Sequence, residues 1–286
     1  MTKAYAEHYL ATADGPRVHY RVYEPQGQAA GAPALCLPGL TRNERDFEEL
    51  APMIARLGRR VVVATPRGRG LSDPDSQPER YAPPVYVGDV LALLDALAIE
   101  RAVFIGTSMG GLMTMIAAAS APQRLAGAVL NDVGPEIDPV GLARIRSYAG
   151  VPKTASAWAE AGALCRDING SAFPDEGGDF WETFARRIFR ETGPGRLELD
   201  YDPRIAGTVA EGPAPDLWPL FDALKPIPTL AIRGAISDVL MTSTLAEMQQ
   251  RKPNLTTASV PRVGHAPFMT EPAAWAALSA FLGQVP

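Results

Sequence analysis

Ser108 stands in the pentapeptide Gly106-Thr107-Ser108-Met109-Gly110, which has the form Gly-x-Ser-x-Gly. A serine hydroxyl is a weak nucleophile at neutral pH. It attacks a carbonyl carbon only with a base in hydrogen-bond reach and a third group that orients the base. Before the pentapeptide, residues 102–105 are apolar with branched and aromatic side chains; after it, residues 111–119 read as a buried helix. Strand, tight turn and helix make the context in which this pattern becomes a nucleophile elbow. The backbone doubles back so sharply there that a Cβ at position 106 or 110 would clash. The same turn aims the Met109 N–H at a substrate oxygen.

Histidine is the usual base, and the chain has three. His8 precedes the first recognisable strand, and His19 lies inside an alternating segment beside Tyr20; both read as structural or surface residues. His265, in Val263-Gly264-His265-Ala266-Pro267, lies between the last strand and the last helix. In a parallel sheet that loop opens at the carboxyl edge, where Ser108 also emerges, so His265 is the expected base. The orienting acid should follow a strand between serine and histidine. Asp238, just beyond the strand 229–232, fits best, and Asp132, ending the strand 128–130, is the alternative. Asp202 and Asp216 read as caps or surface charges. A second oxyanion donor belongs in the loop after the strand 34–37, where Gly39 lets the chain turn and Leu40 offers its N–H. Arg42 and Asn43 follow, read either as touching a polar substrate group or, more often for loop-surface residues, as simply solvated.

These residues need a sheet to hold them. Residues 18–23 alternate and read as an early antiparallel strand. Buried strands are expected at 34–37, 61–64, 102–105, 128–130, 229–232 and 258–260, and helices at 47–57, 85–97, 111–119, 244–250 and 273–282. Buried strands alternating with helices imply an α/β fold, a parallel sheet covered on both faces. Residues 134–224 break the rhythm. They show no convincing strand, but carry helical stretches at 139–148, 155–165, 180–190 and 216–224 and three of the four tryptophans. The expected organisation is a core domain of 1–133 and 225–286 with a helical cap, or lid, of 134–224. Trp158 and Trp218 of that cap, with Leu40, are candidate substrate-binding residues. Phe173, Phe180, Trp181, Phe184, Tyr201 and Phe221 divide between pocket wall and cap core.

Taken together, the segments Gly106-Thr107-Ser108-Met109-Gly110, Gly234…Ser237-Asp238 and Gly264-His265 resemble the α/β-hydrolase fold family over nearly the whole chain. The insertion resembles the helical cap of its haloperoxidase, epoxide hydrolase and esterase branch. The resemblance implies a mostly parallel twisted sheet with helices on both faces. This chain has Pro38-Gly39 where many relatives have His-Gly, and Thr65-Pro66 where many have Asp before the Arg-Gly-x-Gly-x-Ser turn. A serine at the elbow separates it from the haloalkane dehalogenases and epoxide hydrolases, which use aspartate there. The expected activity is that of a serine carboxylesterase cleaving small carboxylic esters through an acyl-enzyme on Ser108, with Asp238 and His265 completing the triad and Leu40 and Met109 the oxyanion hole. The same triad serves lactone, amide or carbon–carbon bond hydrolysis, and a non-catalytic small-ligand receptor is the alternative of another class.

Composition narrows the partners. The 286 residues, 47% hydrophobic, suffice for one large core with an insertion. A net charge of −5 with interspersed signs makes no basic stripe for nucleic acid. The two cysteines, Cys36 and Cys165, form no C-x-x-C pair, so no metal site, haem attachment or disulfide framework is expected. No cofactor is implied. The first eight residues lack an apolar signal core, and residues 102–121 read as strand plus helix rather than a membrane span. A cytoplasmic enzyme with a small-molecule ester substrate and no membrane partner is expected. Both a monomer and a homodimer are compatible with the sequence.

Overall fold

The computed structural model describes residues 4–208 and 215–286. Among them, eight strands form one sheet. In spatial order these are β1 (Ala6–Ala11), β2 (Arg17–Tyr23), β4 (Val61–Ala64), β3 (Ala34–Leu37), β5 (Ala102–Thr107), β6 (Leu125–Asn131), β10 (Thr229–Gly234) and β11 (Thr256–Val260). The first two pairings are antiparallel and the rest parallel. β1 was absent from the sequence expectations. Its exposed faces show none of the apolar alternation that marks a buried strand, and it holds His8.

Pleating sends alternate side chains to opposite faces. In β3, Leu35 and Leu37 join one core, while Ala34 and Cys36 join the other. The first core is closed by α2 (Pro83–Ala96), α3 (Met109–Ser120), α7 (Trp218–Asp222) and Met248 of α8 (Thr242–Arg251). The second is closed by α1 (Leu50–Arg56) and α9 (Pro272–Gln284). Both cysteines are free and buried, and burial pushes the Cys165 thiol up to about 12. No helix among the described residues is long and apolar enough to cross a membrane.

Between β6 and β10 the chain adds α4 (Pro139–Tyr148), β7 (Thr154–Ala155), α5 (Trp158–Asn169), α6 (Gly178–Ile188), β8 (Phe189–Gly193), β9 (Arg196–Leu199) and α7. None of its strands joins the main sheet. They form a separate three-stranded sheet, β7-β9-β8, where the sequence suggested no strand. Arg190, Glu191 and Thr192 are polar and exposed, so β8 carries no apolar run, and Pro194-Gly195 closes a hairpin with Gly195 at φ 64°. Phe173, Trp181, Phe184 and Ile188 form this segment's own core.

The glycine-rich turn after β4 is held by Arg67. Its buried guanidinium donates to Asp14 (2.6 and 2.7 Å), Asp75 (2.8 Å) and Asp89 (2.7 and 2.6 Å). The Arg67 hydrogen bonds hold the Asp14 carboxyl well below the usual carboxylate range. The folded value lies below the unfolded value of about 3.9. Asp14 therefore contributes stability above about pH 4 and loses it as the pH falls further. Urea melts of wild type and Asp14→Asn should differ most at pH 7, with the difference starting to shrink below about pH 4.

Candidate active site

Ser108 directly follows β5 with φ 52° and ψ −116°, a backbone conformation that a residue other than glycine adopts only under local constraint. The two glycines of the pentapeptide impose it. A Cβ on Gly106 would lie 2.2 Å from the Gly110 carbonyl oxygen, and one on Gly110 would lie 2.1 Å from the Leu37 carbonyl oxygen. Ser108 N–H donates to the Asn131 carbonyl (3.0 Å), which ties the turn to β6. The Asn131 side chain donates to Thr107 Oγ1 (3.0 Å) and to the Pro267 carbonyl (2.7 Å), which fixes the His265 loop to the same strand.

The structure brings Ser108 and His265 together, with His265 Nε2 at 2.9 Å from Ser108 Oγ. The other ring nitrogen, Nδ1, faces Asp132 Oδ2 at 2.8 Å. The expectation for Asp238 is therefore corrected: the carboxylate at His265 is that of Asp132. The sheet order explains the exchange. β6 lies beside β5, so its end is next to Ser108, and Asp132 turns there with φ 55°, much as Ser108 does at the end of β5. The β10 loop reaches the same place with Ser237 instead. Ser237 Oγ donates to Asp132 Oδ2 (2.6 Å), and Gly234 N–H donates to Asp132 Oδ1 (2.8 Å). Asp132 is fully buried with three donors on it. Asp238 turns towards the insertion and takes two hydrogen bonds from Arg144 of α4 (2.5 and 2.8 Å). Burial works against the Asp238 charge, but the Arg144 hydrogen bonds and charge outweigh it and hold the carboxyl below its usual range.

Leu40 and Met109 border the same cavity as Ser108, and among the described residues neither backbone N–H has an intramolecular acceptor. Met109 is the first residue of α3, where an N–H has no partner within the helix. Arg69, missed from the sequence, lies behind both residues. Fully buried, it donates to the Leu40 carbonyl (2.8 Å), the Arg67 carbonyl (2.7 Å) and Tyr86 Oη (2.8 Å), with Nη2 3.8 Å from Met109 Sδ. Its position in a glycine-rich turn gives no sign of this, because most of its partners come from other segments.

Two cavities open at Ser108 and share Leu40, Ser108 and Ile145. The smaller, about 90 Å³, is bordered by His265, Arg42, Tyr148, Asn169 and Phe184. The larger, about 360 Å³, is bordered by Leu112, Ile116, Val133, Leu142, Leu217 and Leu220. Trp158 and Trp218 line neither, which corrects their assignment as pocket residues. Trp158 lies under the Arg186 guanidinium, 4.4 Å from the ring centre. Trp218 packs into the main core beside Phe221, donates to Glu136 (2.9 Å) and carries Arg251 on its ring. Large aromatic rings are mostly buried where they lie. Of the other aromatics, Phe173, Phe184 and Tyr201 reach the smaller cavity. Among the described residues no three His, Cys, Asp or Glu side chains gather as a metal-ligand set.

A mostly parallel eight-stranded sheet in this strand order agrees with the comparisons. A profile of the "Alpha/beta hydrolase family" matches residues 34–278. The chain belongs to the alpha/beta hydrolase family. This alpha/beta hydrolase is 35% identical over 268 residues to 3-hydroxybutyrate-oligomer hydrolase of Cupriavidus necator, covering 90% of each chain. It is 28% identical over 265 residues to 2-(acetamidomethylene)succinate hydrolase of Mesorhizobium japonicum, covering 91% of this chain and 90% of that one. The crystal structure of an alpha/beta hydrolase from Novosphingobium aromaticivorans matches with a TM-score of 0.93, 44% identity and full coverage of both chains.

Proposed function

We propose that this hydrolase cleaves carboxylic esters through an acyl-enzyme on Ser108. The reading rests on one arrangement, the hydrogen-bonded line Ser108–His265–Asp132 at 2.9 and 2.8 Å. Ser108 Oγ attacks the ester carbon while its proton passes to His265 Nε2. The carbonyl electron pair moves onto oxygen, where the N–H groups of Leu40 and Met109 receive it. Donors of this kind are worth about 10²–10³ in rate each. The tetrahedral species collapses, the carbon–oxygen bond to the alcohol breaks, and the leaving oxygen takes the proton from His265. Water then gives a proton to His265 and attacks the acyl-enzyme. Collapse releases the acid and returns the proton to Ser108. Asp132 holds Nδ1–H, which selects the tautomer with Nε2 free and stabilises the imidazolium.

The related 3-hydroxybutyrate-oligomer hydrolase supports an ester bond as the target, since such oligomers are joined by esters. In this reading residues 134–224 act as a cap. Its helix α4 supplies Ile145 and Tyr148 to the cavities, and the Arg144–Asp238 pair clamps it to the β10 loop.

Treatment with a fluorophosphonate should add one label, mapped to Ser108, and His265→Ala should slow that labelling by at least about 10³-fold. Intact-mass and peptide analysis check both. Labelling elsewhere, or at an unchanged rate in His265→Ala, would overturn the proposal.

A further inference from the structure

Resting on the serine-hydrolase reading, we propose that the substrate is an ester of two unlike halves. An apolar acyl chain lies in the larger cavity. A short hydroxy acid is the leaving group, and its free carboxylate is held by Arg42 and Tyr148 in the smaller one.

The direction of the ester follows from proton transfer. The leaving oxygen must take its proton from His265 Nε2, so the alcohol half lies on the histidine's side. His265 borders the smaller cavity and not the larger. The acyl half then extends the other way, past Leu112 and Ile116 of α3 towards Leu217 and Leu220. Besides Ser108, the only polar side chain among the described residues bordering that larger cavity is Arg146, which has partners of its own. Each methylene buried there should strengthen binding about fourfold.

The smaller cavity has donors to spare. Arg42 gives Nε and Nη2 to Asp46 (2.7 and 2.6 Å) and lies on the Phe184 ring, 4.2 Å from its centre. Among the described residues Nη1 has no acceptor, so a fixed guanidinium borders the cavity with both Nη1 N–H bonds unused. Tyr148 borders the same space, with the charges of Arg144 and Arg42 acting on its hydroxyl. Burial raises the Tyr148 pKa, so the phenol keeps its proton and donates it. Asp46, the one carboxylate on this cavity among the described residues, is occupied by Arg42, and Asp238 beyond it by Arg144. A substrate carboxylate therefore meets donors rather than a free negative charge.

The test compares kcat/KM for release of octanoate or acetate from four esters: 3-octanoyloxybutanoate, 3-acetoxybutanoate and the methyl ester of each. Wild type should favour each free acid over its methyl ester by about tenfold or more, the scale of a hydrogen bond to a charged group. It should favour octanoyl over acetyl by at least about tenfold. Arg42→Gln, and more weakly Tyr148→Phe, should bring the acid-to-methyl-ester ratio towards one. Ile116→Trp should lower the octanoyl-to-acetyl ratio. Each ratio is taken within one enzyme, so loss of folded protein cancels. Equal or faster turnover of the methyl esters by wild type, or an unchanged ratio in Arg42→Gln, overturns the carboxylate anchor. No turnover of any of the four with Ser108 still labelled overturns the two-part substrate alone. No turnover and no labelling overturns the serine-hydrolase reading beneath it.

Discussion

Asp132→Asn is expected to lower kcat for ester hydrolysis by about 10⁴-fold, while Asp238→Asn leaves kcat close to that of wild type. Asp132 has no contact with solvent and takes hydrogen bonds from His265 Nδ1, Ser237 Oγ and Gly234 N–H. An amide cannot accept all three. Whichever way the amide is turned, its NH₂ group faces a donor, and the imidazole loses the charge that fixes its tautomer. Asp238 has about a third of its side chain in solvent, and its bonds go to Arg144. Losing them costs stability on the order of 1 kcal/mol, read as a small drop in urea midpoint. Steady-state kinetics on both variants decide the matter. A large fall in kcat for Asp238→Asn with little change for Asp132→Asn would return the role to Asp238.

The second large effect is one of folding. Gly110→Ala places a Cβ 2.1 Å from the Leu37 carbonyl oxygen and 2.7 Å from its carbon. Those atoms belong to β3, which is hydrogen-bonded to β4 on one side and β5 on the other and cannot withdraw without breaking a ladder. We expect a loss of about 3 kcal/mol or more, with ester hydrolysis lost as Ser108 is displaced. Gly283→Ala is the matched control. It lies in α9 with nothing within 4 Å of the added methyl and should be neutral or slightly stabilising. Urea melts of the two variants test the contrast. A Gly110→Ala protein as stable as wild type would mean that the β3–α3 approach is looser than described.

What could be read from the sequence was whatever depended on neighbours along the chain. The Ser108 turn, the buried strands around it and the loop position of His265 are local patterns, and the structure sets Ser108 and His265 within hydrogen-bond distance. The choice between Asp132 and Asp238 depended on how two adjacent strand ends face each other across the sheet, which no local pattern records. One signal was present: Asp132 follows a strand directly, and aspartate tolerates the left-handed backbone that such an abrupt end requires. Ser237 and Asn131 were illegible for the same reason, since their partners lie 105 and 136 residues away. The three-stranded sheet went unseen because β7 has two residues and β8 is mostly polar. Trp158 and Trp218 misled because an aromatic ring in an insertion looks the same whether it lines a pocket or packs a core.

Leu40, Ser108, Met109 and Asp132 all precede the long insertion, and His265 alone follows it. As the chain is synthesised, the residues proposed as nucleophile, oxyanion donors and orienting acid emerge first. His265, the proposed base, arrives 133 residues after Asp132, with β11 already made. On that reading a nascent or truncated chain carries Ser108 without its base. The same division makes the insertion a natural place to split the protein. Fragments cut there would each be inert, and hydrolysis would report their reassociation.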